Sequence, residues 1–286
     1  MEFVQPTSWE EALAAKAALP ASLPIAGGTD VMVELNFDRR RPEALLDLTR
    51  VPELDEWGHD NGRLRIGAGV SYTRVIDELG DSLPGLALAS RTVGSPQIRN
   101  RGTIGGNLGA ASPAGDAHPP LLAAAAEVEL ASTRGVRRVP ARDFYVGPKR
   151  NVLAEDELIA AVCVAPAAGP QQFSKIGTRN AMVIAACSFA LSLDPAARRA
   201  GTGIGSAGPT PLVADEAERF LEEALTEAGA WEGRSALGDP ALERFGALVA
   251  SAARPIDDVR STAAYRVHAL GVLARRTLAW ALGSEA

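Results

Sequence analysis

Glycine placement bears most directly on chemistry in this sequence. Glycine lets the backbone bend through positive φ or approach another group at contact distance. It recurs in three clusters, PIAGGTDV at 24–31, TIGGNLGAASPAGD at 103–116 and GIGSAG at 203–208. The second lies in a stretch with no charged side chain between Arg101 and Asp116, which suggests backbone amides arranged around a ligand rich in acceptors. Two such loops converging on one anion provide donors without Lys or Arg, as backbone nests do. Thr29, Thr103, Asn107 and Ser112 add side-chain donors. No Lys follows the glycines, so neither is a P-loop. Taken alone, each is equally compatible with a hairpin turn.

The third cluster fits G-x-G-x-x-G, but that fingerprint requires a helix to begin inside it. Pro209 and Pro211 follow at once, and proline lacks the N–H that a helix and a bound pyrophosphate both use. GIGSAG reads as a turn between strands. Asp116 closes the second cluster. A carboxylate there repels phosphates, so it is expected to face a hydroxylated neighbour such as a ribityl or ribose; the alternative is an N-cap for HPPLLAAAA. The histidines, His59, His118 and His268, show no metal spacing. No Ser-His-Asp arrangement is readable, so no metal and no acid–base residue is assigned, and His118 reads as structural.

The elements that must carry these loops follow from pattern. Thr7 or Ser8 caps a helix running to about Leu19, with Glu10 and Glu11 in its first turn. A short strand, the first glycine turn, a helix-like or extended segment and the buried strand EALLDLTRV complete a small α/β unit. RLRIGAGVSY reads as a strand, followed by helices at about 73–79 and 85–93 and then the second glycine cluster as a loop. PPLLAAAAEVELAS suggests a helix running into a strand, and residues 136–166 two further strands around a loop. Pro166 to Pro170 is the best linker. Beyond it, three antiparallel strands precede three amphipathic helices.

Composition bounds the function. With 286 residues and 47% hydrophobic content there is material for two or three cores. The net charge of −6 argues against a nucleic-acid surface, since the densest basic run, FDRRRP at 37–42, reads as a solvated turn. Cys163 and Cys187 are too few for an iron–sulfur cluster and suggest a reduced, cytoplasmic setting. The N-terminus lacks the basic and apolar regions of a secretory signal. No stretch reaches the roughly 18 uninterrupted apolar residues of a membrane span.

AGGTD, GSPQIRNRGTIGGNLGAASPAGD, FYVGPKRNVLAEDELI, FSKIGTRNAM, GSAGPTPLVADEAERFL and DDVRSTAAYRVHALGVLARR occur in this order. Together they resemble the FAD-binding medium subunit of molybdenum hydroxylases, the xanthine dehydrogenase and aerobic carbon monoxide dehydrogenase family. The resemblance implies an α+β chain. Its FAD-binding domain would be of the vanillyl-alcohol-oxidase (PCMH) type, with two α/β subdomains at 1–53 and 54–168. A C-terminal domain at 171–286 would hold a three-stranded antiparallel sheet and helices. Carried over, Pro24, Ile25, Ala26, Gly27, Gly28, Thr29, Asp30 and Val31, with Thr103, Ile104, Gly105, Gly106 and Asn107, hold the FAD pyrophosphate. Ser112 adds a donor, Asp116 binds further along the FAD, Val93 packs near the adenine, Leu153 and Lys175 contact cofactor, and Ile184 approaches the isoalloxazine. Asn151 stands where relatives often have Thr. Thr29 stands where some relatives with a covalent flavin have His, so the FAD is expected to be non-covalent.

By the same resemblance, the chain is an electron-transfer subunit of an oxidoreductase. A large molybdopterin-binding subunit and a small [2Fe-2S] subunit are its expected partners, as a dimer of heterotrimers. A free-standing FAD oxidase with its own substrate site is the alternative.

Overall fold

A computed structural model of the chain describes residues 1–232 and 237–283. Strand and helix alternate at the N-terminus in β1 (Glu2–Val4), α1 (Trp9–Ala18), β2 (Leu23–Ile25), α2 (Val31–Asn36) and β3 (Ala44–Asp47). The strands form a parallel sheet in the order β1-β3-β2, the pairing that helical crossovers permit and hairpins do not. Ser8 caps α1 by accepting from the Glu11 amide at 3.2 Å. No residue of α2 is buried, and Met32, Val33 and the following Phe37 are exposed.

A second sheet follows. It begins with β4 (Trp57–Asp60) and β5 (Arg63–Gly67), and continues through α3 (Tyr72–Glu78), α4 (Pro84–Arg91), α5 (Pro96–Arg101), α6 (Ile104–Ala110) and α7 (His118–Ala123). Then come β6 (Glu127–Ser132), β7 (Gly135–Pro140), the single turn α8 (Ala141–Phe144), the hairpin β8 (Tyr145–Gly147) and β9 (Arg150–Asn151), and β10 (Leu158–Val164). The five long strands pair antiparallel in the order β4-β5-β10-β6-β7. All of β10 is buried, as a central strand packed on both faces must be.

Two sequence expectations need correction here. Residues 136–166 hold more than two strands around a loop, because α8 and a separate two-stranded hairpin intervene. Nor is the second glycine cluster an open loop. The Thr103 hydroxyl accepts from the Gly106 amide at 2.9 Å and starts α6, a cap strong enough to override the low helix propensity of glycine.

The remaining strands β11 (Gln171–Ile176), β12 (Cys187–Asp194) and β13 (Arg199–Gly205) form a three-stranded antiparallel sheet. Over it lie α9 (Asp215–Glu227), α10 (Asp239–Ala252) and α11 (Ala263–Ala281), joined in one core by Phe189, Leu221, Phe245 and Leu270. The α+β class with a C-terminal three-stranded antiparallel sheet is the one expected. Within the unit expected at 171–286, residues 233–236 and 284–286 lie outside the described residues. None of the described helices is long and apolar enough to cross a membrane.

Helix α7 joins the two halves. It packs on β13 with almost no side chain between them, because a Cβ at Gly201 would lie 2.0 Å from the Ala123 carbonyl oxygen and one at Gly203 1.9 Å from that of Pro119. GIGSAG thus ends a strand and lines a helix contact. At the start of α7, His118 is fully buried, its Nδ1 2.7 Å from the Tyr145 hydroxyl. Burial pushes its imidazole down to about 3.

Gly203→Ala is expected to destabilise the chain by at least about 1–3 kcal/mol, the usual cost of overpacking, read as a lower midpoint in urea. The second expectation concerns acid. The folded imidazole of His118 titrates near 3, below the 6.5 of the free group, so its contribution is fully present above pH ~6.5 and is lost as pH falls towards 3. The unfolding free energy should therefore drop across that window more steeply than in His118→Gln, by up to ~1.4 kcal/mol per pH unit. Parallel urea titrations of the two proteins would check it.

Candidate functional site

Two loops meet beside the head of α6. PIAGGTDV runs from β2 into α2, and Gly27 comes so close to the end of α5 that a Cβ there would lie 1.8 Å from the Arg101 carbonyl oxygen. Gly28 adopts a φ of +77°. Glycine is needed at both positions, at one for approach and at the other for left-handed backbone. Among the described residues, the amides of Ala26, Gly27, Gly28, Thr29 and Asp30 donate to no protein acceptor. Asp30 sits at the N-cap of α2 without a side-chain capping bond. Consecutive amides without an acceptor are the donor set of an anion nest.

TIGGN is built differently. The Ile104 and Gly105 amides donate to the Val70 and Ala68 carbonyls at 3.1 and 2.8 Å, and the Asn107 amide to Thr103 at 3.1 Å. With Gly106 held by the Thr103 hydroxyl, the amides of residues 104–107 are committed inside the protein. The expectation of free amides there is corrected. A Cβ on Gly105 would lie 2.4 Å from that of Ala68, so this glycine lets α6 pack against the chain leaving β5. Gly106 is exposed and the Asn107 side-chain oxygen has no partner.

After α6 the chain turns through Ala111, in left-handed conformation, into residues 112–116. The Gly115 amide donates to the Ser112 carbonyl at 3.0 Å, and the Ala114 amide to the Ser112 hydroxyl at 3.3 Å. From the C-terminal sheet, the Ser206 amide donates to the Pro113 carbonyl at 2.8 Å. Asp116 Oδ2 accepts from Lys175 Nζ at 2.6 Å and from the Thr92 hydroxyl at 3.2 Å. Both charged side chains are more than nine-tenths buried, at 8% and 9% exposure. Burial raises the Asp116 carboxyl above its ordinary range, and the Lys175 ammonium opposes that push. Asp116 Oδ1 and the Tyr72 hydroxyl are buried without partners. Because α7 has no side-chain cap, the alternative of Asp116 as its N-cap is removed.

The structure thus brings residues 24–31 against the α5–α6 junction and joins the 112–116 turn to Lys175 on β11. Val93 and Leu153 are half-buried against the first core. Ile184 is exposed in the connection from β11 to β12. Pro24 and Ile25 belong to β2, and Val31 opens α2. Sequence reasoning missed Tyr72, Thr92 and the β8–β9 hairpin. Lys149 in that hairpin reaches Glu34 of α2 at 2.7 Å, its amide donates to the Ala111 carbonyl at 3.1 Å, and the Asn151 amide group donates to the Gly109 carbonyl at 3.2 Å. Its only signal in the sequence is Asn151, which stands where relatives often have Thr.

Residues 1–167 match the family described as FAD binding domain in molybdopterin dehydrogenase, and residues 172–281 that described as CO dehydrogenase flavoprotein C-terminal domain. The chain is 32% identical to the nicotinate dehydrogenase FAD-subunit of Eubacterium barkeri, across 77% of this chain and 79% of that one. It is 30% identical to the carbon monoxide dehydrogenase medium chain of Afipia carboxidovorans, across 89% and 87%. A solved structure of reconstituted CO dehydrogenase from Oligotropha carboxidovorans has a chain that superposes with a TM-score of 0.88 at 28% identity, covering 100% of this chain and 98% of that one. With both halves matched in order and the fold shared from end to end, the chain belongs to the family of FAD-binding medium subunits of molybdopterin dehydrogenases, which are oxidoreductases.

Proposed function

We propose that the chain holds FAD non-covalently and is the electron-transfer subunit of a molybdenum hydroxylase, taking electrons from [2Fe-2S] clusters on a small partner and passing them to an external acceptor. The observation that carries this is the run of unpartnered amides from Ala26 to Asp30. These residues take the pyrophosphate, with Gly106 and Asn107 closing the cleft from α6. Asp116 Oδ1, a buried acceptor without a donor, takes a cofactor hydroxyl, while Lys175 holds the other oxygen and keeps the carboxylate oriented. Val93 and Leu153 give apolar walls. Thr29 leaves the first loop without a side chain that bonds covalently to the flavin. FAD supplies the redox chemistry, and the protein contributes binding, orientation and electrostatics.

The partners follow from the same inventory. Cys163 is buried on β10 and Cys187 in the C-terminal core, and two cysteines in the whole sequence are too few to hold a cluster, so the clusters belong to another chain. A large molybdopterin-binding subunit completes a unit of three, doubled as a dimer of heterotrimers. Exposed Met32, Val33 and Ile184 offer apolar surface near the first loop and in the β11–β12 connection for such contacts.

The full chain, mixed with FAD and desalted, should retain visible flavin absorption, and absence of flavin would refute the proposal. Asp116→Ala should weaken FAD retention by ten- to a hundredfold, since a charge-assisted hydrogen bond is worth about 1.5–3 kcal/mol. Fluorescence titration of apo-protein reads the change. The loaded chain alone should not be reduced by an aldehyde, a purine or an N-heterocycle. Rapid flavin bleaching in stopped flow with no other subunit would instead favour a free-standing oxidase.

A further inference from the structure

The block DDVRSTAAYR at 257–266 closes on the end of strand β13. Asp258 and Ser261 exchange backbone hydrogen bonds at 3.1 and 3.2 Å, and Asp258 Oδ1 accepts from the Arg260 amide at 2.8 Å and from Arg266 Nη2 at 2.5 Å. Arg266, near the start of α11, is only 4% exposed. Its Nη1 donates to the Ser206 carbonyl at 2.6 Å, a charge-assisted bond of the stronger kind. The next carbonyl, that of Ala207, accepts from the Arg254 amide at 2.7 Å. Ser206 is thus held from the C-terminal helices, while its own amide reaches the other half of the chain and donates to the Pro113 carbonyl at 2.8 Å. It does so in left-handed backbone, at a φ of +57°. That conformation is unfavourable for a residue with a Cβ and persists only where the surroundings impose it. The bonds to Arg266 and Pro113, one on each side of the residue, impose it here.

We propose that Arg266 is a positioning residue of the cofactor site: it holds the Ser206 carbonyl, so that the Ser206 amide stays on Pro113 and sets the turn that ends at Asp116. A formed hydrogen bond carries each step from Asp258 to Arg266, to Ser206 and to Pro113. From there the carboxylate is three residues along the chain. Neither the guanidinium nor the serine needs to touch the cofactor. This role rests on the reading that FAD binds beside Asp116. It goes beyond that reading by giving the C-terminal unit a second hold on the turn, besides the ion pair of Lys175. Without the guanidinium the Ser206 carbonyl loses its charged donor and the left-handed backbone can relax. The turn then loosens from β13 while Lys175 still pairs with Asp116.

The test titrates FAD into the apo full chain, following flavin fluorescence and the shape of the bound flavin's visible band, with circular dichroism and a urea midpoint for each apo variant. Arg266→Met is expected to lower FAD affinity about tenfold and to alter the band. Arg266→Lys, which keeps a cation and a donor at that place, should recover part of both. In the double variant Arg266→Met/Asp116→Ala, affinity should fall no further than in Asp116→Ala alone, because residues acting in series are not additive. A merely structural role predicts something else: a lower urea midpoint, with the affinity and the band of the folded chain unchanged. That outcome, additive losses, or a lysine variant no better than methionine would overturn the role of Arg266 while leaving FAD binding intact. If Arg266→Met does not fold, Arg266→Lys and Asp258→Asn decide the matter, and wild-type affinity and band shape in both would overturn the proposal. A wild-type chain that binds no FAD would overturn the functional reading itself.

Discussion

Helix α7 and strand β13 touch backbone to backbone, and the geometry of the site follows from that contact. Gly201 and Gly203 leave no room for even a methyl group against the carbonyls of Ala123 and Pro119. The helix is therefore seated at a depth that a larger residue would forbid. Asp116 lies two residues before α7, and Lys175 lies on a strand of the same sheet as β13. Their 2.6 Å ion pair is possible because the helix is seated so deeply. Burying two charges is costly unless the geometry is good and further hydrogen bonds support them. Thr92 and the Ser206–Pro113 bond supply that support from both halves.

Glycine has two distinct uses in this fold, and their contrast explains how the amides are distributed. In PIAGGTDV the glycines shape a loop whose amides stay free. In TIGGN, and again in β13, glycine admits neighbouring backbone, and the amides are consumed by capping and packing. The same residue type thus makes a donor nest in one place and a tight helix contact in another. Which role applies depends on whether an acceptor from elsewhere in the chain reaches the amide.

That dependence marks how far the sequence could be read. The α/β alternation at the N-terminus, the Ser8 cap, the three antiparallel C-terminal strands and the rejection of GIGSAG as a nucleotide loop were all legible, because each follows from local pattern or from proline chemistry. The fate of the TIGGN amides was not, since their acceptors at Ala68 and Val70 lie more than thirty residues upstream. Nor could the packing role of Gly203 be read before α7 was known to cross it. Tyr72 and Thr92 carry no motif, and only the three-dimensional approach of Asp116 distinguishes them. Ile184, assigned by resemblance, has an exposed side chain, and no local pattern addressed its position.

The Asp116–Lys175 pair spans 59 residues, and the turn beside it is also held by Ser206. A nascent chain that has emerged only to residue 170 owns both glycine loops but neither Lys175 nor β13. Domains fold as units while synthesis proceeds, so the first two sheets can form before the Asp116–Lys175 pair does. The turn at Asp116 is finished only when the last strand closes over α7, which makes this junction an event of the completed polypeptide and the last part of the two halves to be set.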